Sequence, residues 1–448
     1  MQSGTGGVFF TSTMPTDEDC LSLNVWFPAS AARHALPVML WIHGGGFILG
    51  SGTQSIYDGT QLATRDVVVV TINYRLGPLG WMAHKGLLGQ DAKHPAAGNY
   101  GLLDQVAALE WVRDNIAAFG GDPRQVTIFG ESAGGVSVCA LFASPLGKGL
   151  FARAIDESGP CLSTATMSDL PTAEAQGDRV AAALSCDTSP DVVACMRSKT
   201  ASEVAGVLPT GILPGVAGQE GWAPIIDGDA EPVSVADALR AGASKDVPLL
   251  LGTNADEGTV LVIGAGLNDL TGVTGYINQR LGTALAAPIL ANYPPSRYGG
   301  DANAAAYAIV GDGLMVCPAQ RAAEDVAAAG GRVSAYLFSY VTTYGAALGW
   351  GAFHGSDLPF VFRNADLQPG VALATFTGDN GAVADWFEGY WTNMAKTGSP
   401  GTVAGLSWPA FAGPGGEVMN LQPHATTMQG WYHASDCAVW KSALGLLL

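Results

Sequence analysis

The stretch with the plainest chemical potential is Gly130-Glu131-Ser132-Ala133-Gly134-Gly135, a serine set among glycines in the pattern Gly-x-Ser-x-Gly. Before it, Val126-Thr127-Ile128-Phe129 reads as a buried strand; after it, Val136 to Ala143, apolar and free of proline, reads as a helix. Strand, tight turn and helix together are the context in which this pattern presents a serine hydroxyl at the carboxyl end of a sheet. A helix beginning just after Ser132 also favours negative charge beside it. A glycine-rich turn without chemistry is the plain alternative, and the flanking strand and helix weigh against it.

A serine hydroxyl is a weak nucleophile. It needs a base, usually histidine, a carboxylate to orient that base, and donors for the oxyanion. The histidines after Ser132 are His354, His424 and His433. His354 lies in the small-residue loop Gly351-Ala352-Phe353-His354-Gly355-Ser356-Asp357, which follows a predicted strand, whereas His424 and His433 sit in a polar segment without such context. In the chain order serine, acid, histidine, the acid falls between Ser132 and His354 at a strand end. Asp256 and Glu257 both fit, just past Leu249-Leu250-Leu251, and spacing does not choose between them. His43-Gly44-Gly45-Gly46 follows a buried strand and reads as the loop whose backbone N–H groups face the oxyanion, glycine allowing close backbone approach. His43 itself reads as structural.

These residues need a scaffold. Leu21 to Phe27, Pro37 to His43, Val67 to Ile72, Ala152 to Asp156, Val247 to Gly252 and Val333 to Tyr340 read as further strands. The run Val67-Val68-Val69-Val70-Thr71-Ile72 is typical of a central strand buried on both faces. Leu102, Val106, Leu109, Val112, Ile116 and Phe119 recur at helical spacing, and Gly120-Gly121 ends that helix. Asn380 to Lys396 and Asp436 to Leu448 read as helices. Thr172 to about Arg240 is helical, alanine-rich and broken by Pro209, Pro214 and Pro224; Val260 to about Arg321 is expected to be a loop-rich cap. Strands alternating with helices predict an α/β fold with a mainly parallel sheet covered on both faces, and ligands beyond the carboxyl ends of its strands. The organisation expected is one domain, 1–448, with cap-like helical insertions at about 160–240 and 260–330.

Of the 448 residues, 48% are hydrophobic and 13% charged, and the net charge of −18 argues against nucleic acid or anionic membranes as partners. No apolar run reaches the roughly 18 residues of a membrane span. Met1-Gln2-Ser3-Gly4 shows no basic patch leading into an apolar core, so no signal peptide is legible. None of the seven cysteines forms a C-x-x-C pair, so no zinc or redox motif is visible; no metal or cofactor is expected.

Longer motifs carry a family resemblance. Trp41–Phe47 (WIHGGGF), Asn73–Trp81 (NYRLGPLGW), Gly98–Gln105 (GNYGLLDQ), Phe119–Pro123 (FGGDP), Val126–Gly135 (VTIFGESAGG), Ala255–Thr259 (ADEGT) and His354–Phe362 (HGSDLPFVF) resemble type-B carboxylesterases. That group includes cholinesterases, GGGX fungal lipases and bacterial p-nitrobenzyl esterases. The resemblance runs from about Cys20 to the end of the chain. It implies an α/β-hydrolase fold and hydrolysis of small-molecule carboxylic esters through an acyl-enzyme. Position by position it implies Ser132 as nucleophile, Glu257 as acid and His354 as base. Gly45, Gly46 and Ala133 would be the oxyanion donors, Glu131 and Ser158 neighbours of the site, and Trp222 part of the acyl pocket. It also implies disulfides Cys186–Cys195 and Cys317–Cys437, leaving Cys20, Cys139 and Cys161 reduced; with those bonds an exported enzyme is expected, without them a cytoplasmic one.

The family usually carries a further segment before the position of Cys20, with a disulfide-closed loop over the site, and Gln2 to Met14 does not resemble it. An open site is therefore expected, one that takes bulky alcohols and short acyl chains. That favours a carboxylesterase over a lipase acting on longer acylglycerols. A non-catalytic adhesion homologue is the reading from another class; such relatives lose a triad residue, and all three stand here. A histidine base of ordinary basicity would give activity rising through about pH 6 to 7.

Overall fold

The computed structural model describes residues 17–32, 35–162, 167–213, 215–267, 269–368, 371–372, 375–424 and 427–443. Gln2 to Met14, Pro214 and the last residues of the predicted closing helix lie outside that set. Nine strands form the main sheet: β1 (Leu23–Trp26), β2 (Leu36–Ile42), β3 (Val68–Ile72), β4 (Gly121–Glu131), β5 (Arg153–Glu157), β6 (Leu249–Asn254), β7 (Val333–Phe338), β8 (Glu417–Leu421) and β9 (Thr427–Gly430). Their order is β1-β3-β2-β4-β5-β6-β7-β8-β9. The pairs from β3 to β8 are parallel, and the edge strands β1 and β9 run antiparallel to their neighbours.

The period-2 geometry of a strand sorts the apolar residues onto two faces. Val38, Leu40, Ile42, Val68, Val70, Ile72, Val126 and Ile128 join one buried cluster. Met39, Trp41, Val69 and Phe129 join the other. Helices α1 (Tyr100–Asn115), α2 (Ala133–Ala143) and α7 (Cys317–Ala328) pack on the first face, through Leu102, Val106, Leu109, Val138, Leu141, Ala319 and Ala322 among others. Helix α8 (Gly378–Thr397) covers the second face with Val383, Phe387, Tyr390, Trp391 and Met394. Replacing Trp41, which is fully buried against Tyr57, Phe129 and Phe362, by alanine would cost about 3–5 kcal/mol.

Two readings of the sequence are corrected. The stretch 260–321 is mostly helical, not loop-rich: α3 (Gly258–Gly264), α4 (Leu270–Leu281), α5 (Thr283–Asn292) and α6 (Ala302–Gly311) lead through a π-turn at Asp312–Val316 into α7. These helices are short and rich in alanine and glycine. They are stabilised by their own third cluster, including Val273, Ile277, Ile289, Ile309 and Trp440, rather than by local propensity. The polar C-terminal segment also holds the hairpin β8–β9, and His433, far from isolated, has Nδ1 at 2.8 Å from Asp312 Oδ1. The last described helix is α9 (Ala434–Ala443), tied to the start of α7 by Cys317–Cys437. Among the described residues no helix is long and apolar enough to cross a membrane.

Candidate active site

Strand β4 runs straight into α2 through Ser132, whose φ of 58° and ψ of −122° are forced on a residue with a side chain. Such a conformation costs of the order of 1–3 kcal/mol. The turn is held from both sides. Ser132 N–H donates to Glu157 O at 2.9 Å, and α2 lies so close that a Cβ on Gly134 would sit 2.0 Å from Ile42 O. The expected tight strand-to-helix turn is thus present, with Ala133 as the first helical residue.

Beside it stands the loop after β2. Gly45 and Gly46 have φ of 108° and 61°, values that favour glycine, and a Cβ on Gly44 would lie 3.2 Å from Ser132 Cβ. The loop is anchored by Tyr74, whose hydroxyl donates to His43 O at 2.7 Å and whose ring stacks on the His43 imidazole. Burial lowers the pKa of His43 to about 4, so it is neutral, and its Nδ1 lies 2.8 Å from Gly44 O. These contacts suit the structural role read for it.

The end of β6 and the loop after β7 meet at the same sheet edge. His354 Nδ1 lies 2.6 Å from Glu257 Oε2. Glu257 Oε1 accepts from Ser158 Oγ at 2.6 Å and from Asn254 N–H at 2.7 Å, and the residue is 1% exposed. Asp256, the alternative the spacing left open, points elsewhere: its Oδ2 accepts from Ala352 N–H at 2.8 Å and so ties the histidine loop to β6. His354 Nε2 is 3.3 Å from Glu131 Oε1.

Charge at this edge is one-sided. Burial is the largest influence on His354 and by itself would lower its pKa. Glu131, Glu257 and the hydrogen bond to Glu257 outweigh it and hold the imidazole above its ordinary value. Burial likewise pushes Glu131 above the usual carboxyl range. Behind them lies a layer that sequence reading missed. Asp357 accepts from Asn254 Nδ2 at 3.0 Å, and burial raises its pKa to about 6; Glu157 accepts from Trp391 Nε1 at 2.6 Å. Their position beside Ser158 and His354 in the sequence was the available signal, but nothing local tells a buried acid from a turn residue.

Ser132, Ala133, Gly46 and Trp222 line one cavity of about 60 Å³, together with Phe47, Ile212, Leu261, Leu314 and Met315. Its walls come from the loop after β2, the segments around 211–213 and 221–223, α3 and the π-turn. The last two were not legible, because a π-turn has no sequence signature comparable to a cap or a turn motif.

The arrangement gathers a strained serine at a helix N-terminus, a histidine–carboxylate pair and a glycine loop. Such a set can attack an acyl carbon and stabilise the resulting oxyanion. Residues 1–440 match the carboxylesterase family. Over 437 residues the chain is 34% identical to the para-nitrobenzyl esterase of Bacillus subtilis (strain 168), with 93% of this chain and 82% of that protein aligned. Over 426 residues it is 33% identical to the fumonisin B1 esterase of Sphingopyxis macrogoltabida, with 93% and 75% aligned.

Proposed function

The chain belongs to the carboxylesterase family and hydrolyses carboxylic esters, and from that premise we propose that it does so through a serine acyl-enzyme formed at Ser132. His354 takes the Ser132 proton as the hydroxyl attacks the ester carbonyl. The backbone N–H groups of Gly45, Gly46 and Ala133 receive the oxyanion. His354 then protonates the leaving alcohol and activates water for deacylation, while Glu257 holds its tautomer and balances its charge. The observation that carries the reading is the 2.6 Å contact of His354 Nδ1 with Glu257 Oε2 at the sheet edge that bears Ser132. The test is incubation with a fluorophosphonate and peptide mapping. Adduct on Ser132, with loss of p-nitrophenyl butyrate hydrolysis in step with labelling, is expected; inhibition with the adduct elsewhere overturns the assignment.

The cavity beside Ser132, about 60 Å³, is small and walled mostly by apolar side chains. It supports a preference for short acyl groups. The substrates proposed are soluble short-chain esters. Tributyrin hydrolysis is expected to saturate simply below its solubility limit; a sharp rise as droplets appear would mark a lipase.

The carboxylates around His354 set the pH profile. The base must be neutral, and Glu131 and Glu257 stabilise its charged form, so activity appears only as pH rises through a value above the ordinary 6.5. The limb expected from an unperturbed imidazole, about pH 6 to 7, therefore moves up. Glu131→Gln removes the strongest of the raising influences and is expected to move the kcat/KM limb down by about a unit or less, toward pH 6.5. A wild-type limb below pH 6, or no shift in the variant, would contradict this account.

A further inference from the structure

Cys139 and Cys161 are the surprise of the cysteine pattern. Both were expected to be reduced, yet the structure joins them, with Cα atoms 5.5 Å apart, within the disulfide range. Only Cys20 is free among the described residues, and burial raises its thiol pKa. The pairing escaped the sequence because neither cysteine lies in a local loop motif. They are 22 residues apart and meet only because β4 and β5 are neighbours in the sheet.

We propose that the Cys139–Cys161 cross-link is a positioning device for the esterase reaction, locking the nucleophile helix to the loop that anchors the triad acid. The proposal rests on the assignment of Ser132 and Glu257 made above. Cys139 lies on α2, one helical turn beyond Gly135 and therefore on the same face. Cys161 lies in the loop after β5, three residues past Ser158, the residue that donates to Glu257 Oε1. That loop also carries Pro160, in the cavity wall.

Between these segments the backbones touch. A Cβ on Gly159 would sit 2.4 Å from the Gly135 carbonyl carbon. Two glycine surfaces in contact interlock poorly, because neither presents a side chain to resist sliding. The carboxyl of Asp156 fills the seam. Its Oδ1 is where a Cβ on Gly135 or Gly159 would collide, and its Oδ2 lies 3.1 Å from Cys161 Sγ and 3.5 Å from Cys139 Sγ. A covalent bond one turn along adds a lateral constraint that the side-chain-free glycine contact does not itself provide. Loss of the bond lets α2 and the loop shift relative to one another, which moves Ser132 against Glu257 and His354.

The bond forms by exchange with an oxidised dithiol carrier. Two S–H bonds break, one S–S bond forms, and the two electrons and two protons leave with the carrier as its dithiol. With Cys186–Cys195 and Cys317–Cys437, it makes a chain that matures in an oxidising compartment.

The test has four readings. Thiol titration of the denatured, unreduced protein is expected to find one thiol, that of Cys20; three or more overturns the cross-link. In the double variant Cys139→Ala/Cys161→Ala, kcat on p-nitrophenyl butyrate is expected to fall by about ten- to a hundredfold at 25 °C with little change in KM, the signature of misplaced reacting groups. Cys186→Ala/Cys195→Ala, which removes a cross-link away from the site, controls for loss of any disulfide and is expected to keep kcat within about twofold while its Tm falls. A Cys139→Ala/Cys161→Ala enzyme with lowered Tm but unchanged kcat would show a merely structural bond and overturn the proposal. Fluorophosphonate mapping on the same proteins separates the two levels. Adduct away from Ser132 refutes the nucleophile, whereas slowed labelling at Ser132 in the double variant supports the positioning role.

Discussion

Ser132→Ala is expected to lower kcat on p-nitrophenyl butyrate by about 10⁴- to 10⁶-fold, with KM changed far less. The alanine keeps the strained turn, since φ of 58° is already tolerated by a residue with a Cβ, and removes only the hydroxyl. The fold and the cavity should therefore persist, and circular dichroism and Tm should match the wild type closely. His354→Ala is expected to fall into the same range, because a serine without its base is as inert as no serine. The double variant should be hardly worse than either single one. In the proposed mechanism nucleophile and base act as a unit, so their losses do not add. An active Ser132→Ala enzyme would end the acyl-enzyme mechanism proposed here. A double variant whose loss equals the product of the single losses would mean that the two residues serve separate steps.

Glu257→Gln is expected to cost on the order of 10⁴ in kcat, and Asp256→Asn much less. The two carboxylates are adjacent in sequence and opposite in duty. Glu257 faces Nδ1 of His354 at 2.6 Å, where, in the mechanism proposed, its carboxylate fixes the tautomer and offsets the imidazolium that forms during attack. The amide can accept at that position but carries no charge, and its NH₂ group can turn toward the ring and stabilise the wrong tautomer. Asp256 instead accepts the Ala352 N–H at 2.8 Å, so asparagine, whose oxygen can still accept but carries no charge, weakens that tie to the histidine loop without removing the counter-charge. A drop of about tenfold, with lowered Tm, is the scale expected of Asp256→Asn. A crippled Asp256→Asn beside a normal Glu257→Gln enzyme would exchange the two roles.

Much of the frame was legible because its signals are local. Val67 to Ile72 is β-branched throughout and becomes β3, buried along its whole length. The spacing of Leu102, Val106, Leu109 and Val112 becomes α1 on one face of the sheet. The strand–Ser132–helix pattern becomes β4 and α2 with a positive φ between them, since only a sharp turn can join a strand to a helix that packs back on it. Where a stretch derives its order from distant partners, the reading failed. The helices of 258–311 look irregular in sequence because short alanine- and glycine-rich segments gain stability from one another and from Trp440, some 130 residues further on. Strands β8 and β9 are short: β8 pairs in parallel with the edge that β7 offers, and β9 pairs only with β8.

By itself, then, the amino-acid sequence determined the fold class and the family, and supplied the proposed order serine, acid, histidine along the chain, since each is written in residue types at short spacing. It left the acid undecided between Asp256 and Glu257 until a resemblance was invoked, because adjacent residues at a strand end point in different directions only once the strand has neighbours. The tertiary structure decided which of them faces His354. It also brought Glu157 and Asp357 behind the site, shaped a cavity from a π-turn and a distant loop, and joined Cys139 to Cys161. Each of these depends on parallel strands whose intervening chain runs away over a face of the sheet and back. Residues that meet at the carboxyl edge are separated in sequence by whole helices, and no local pattern records such a meeting.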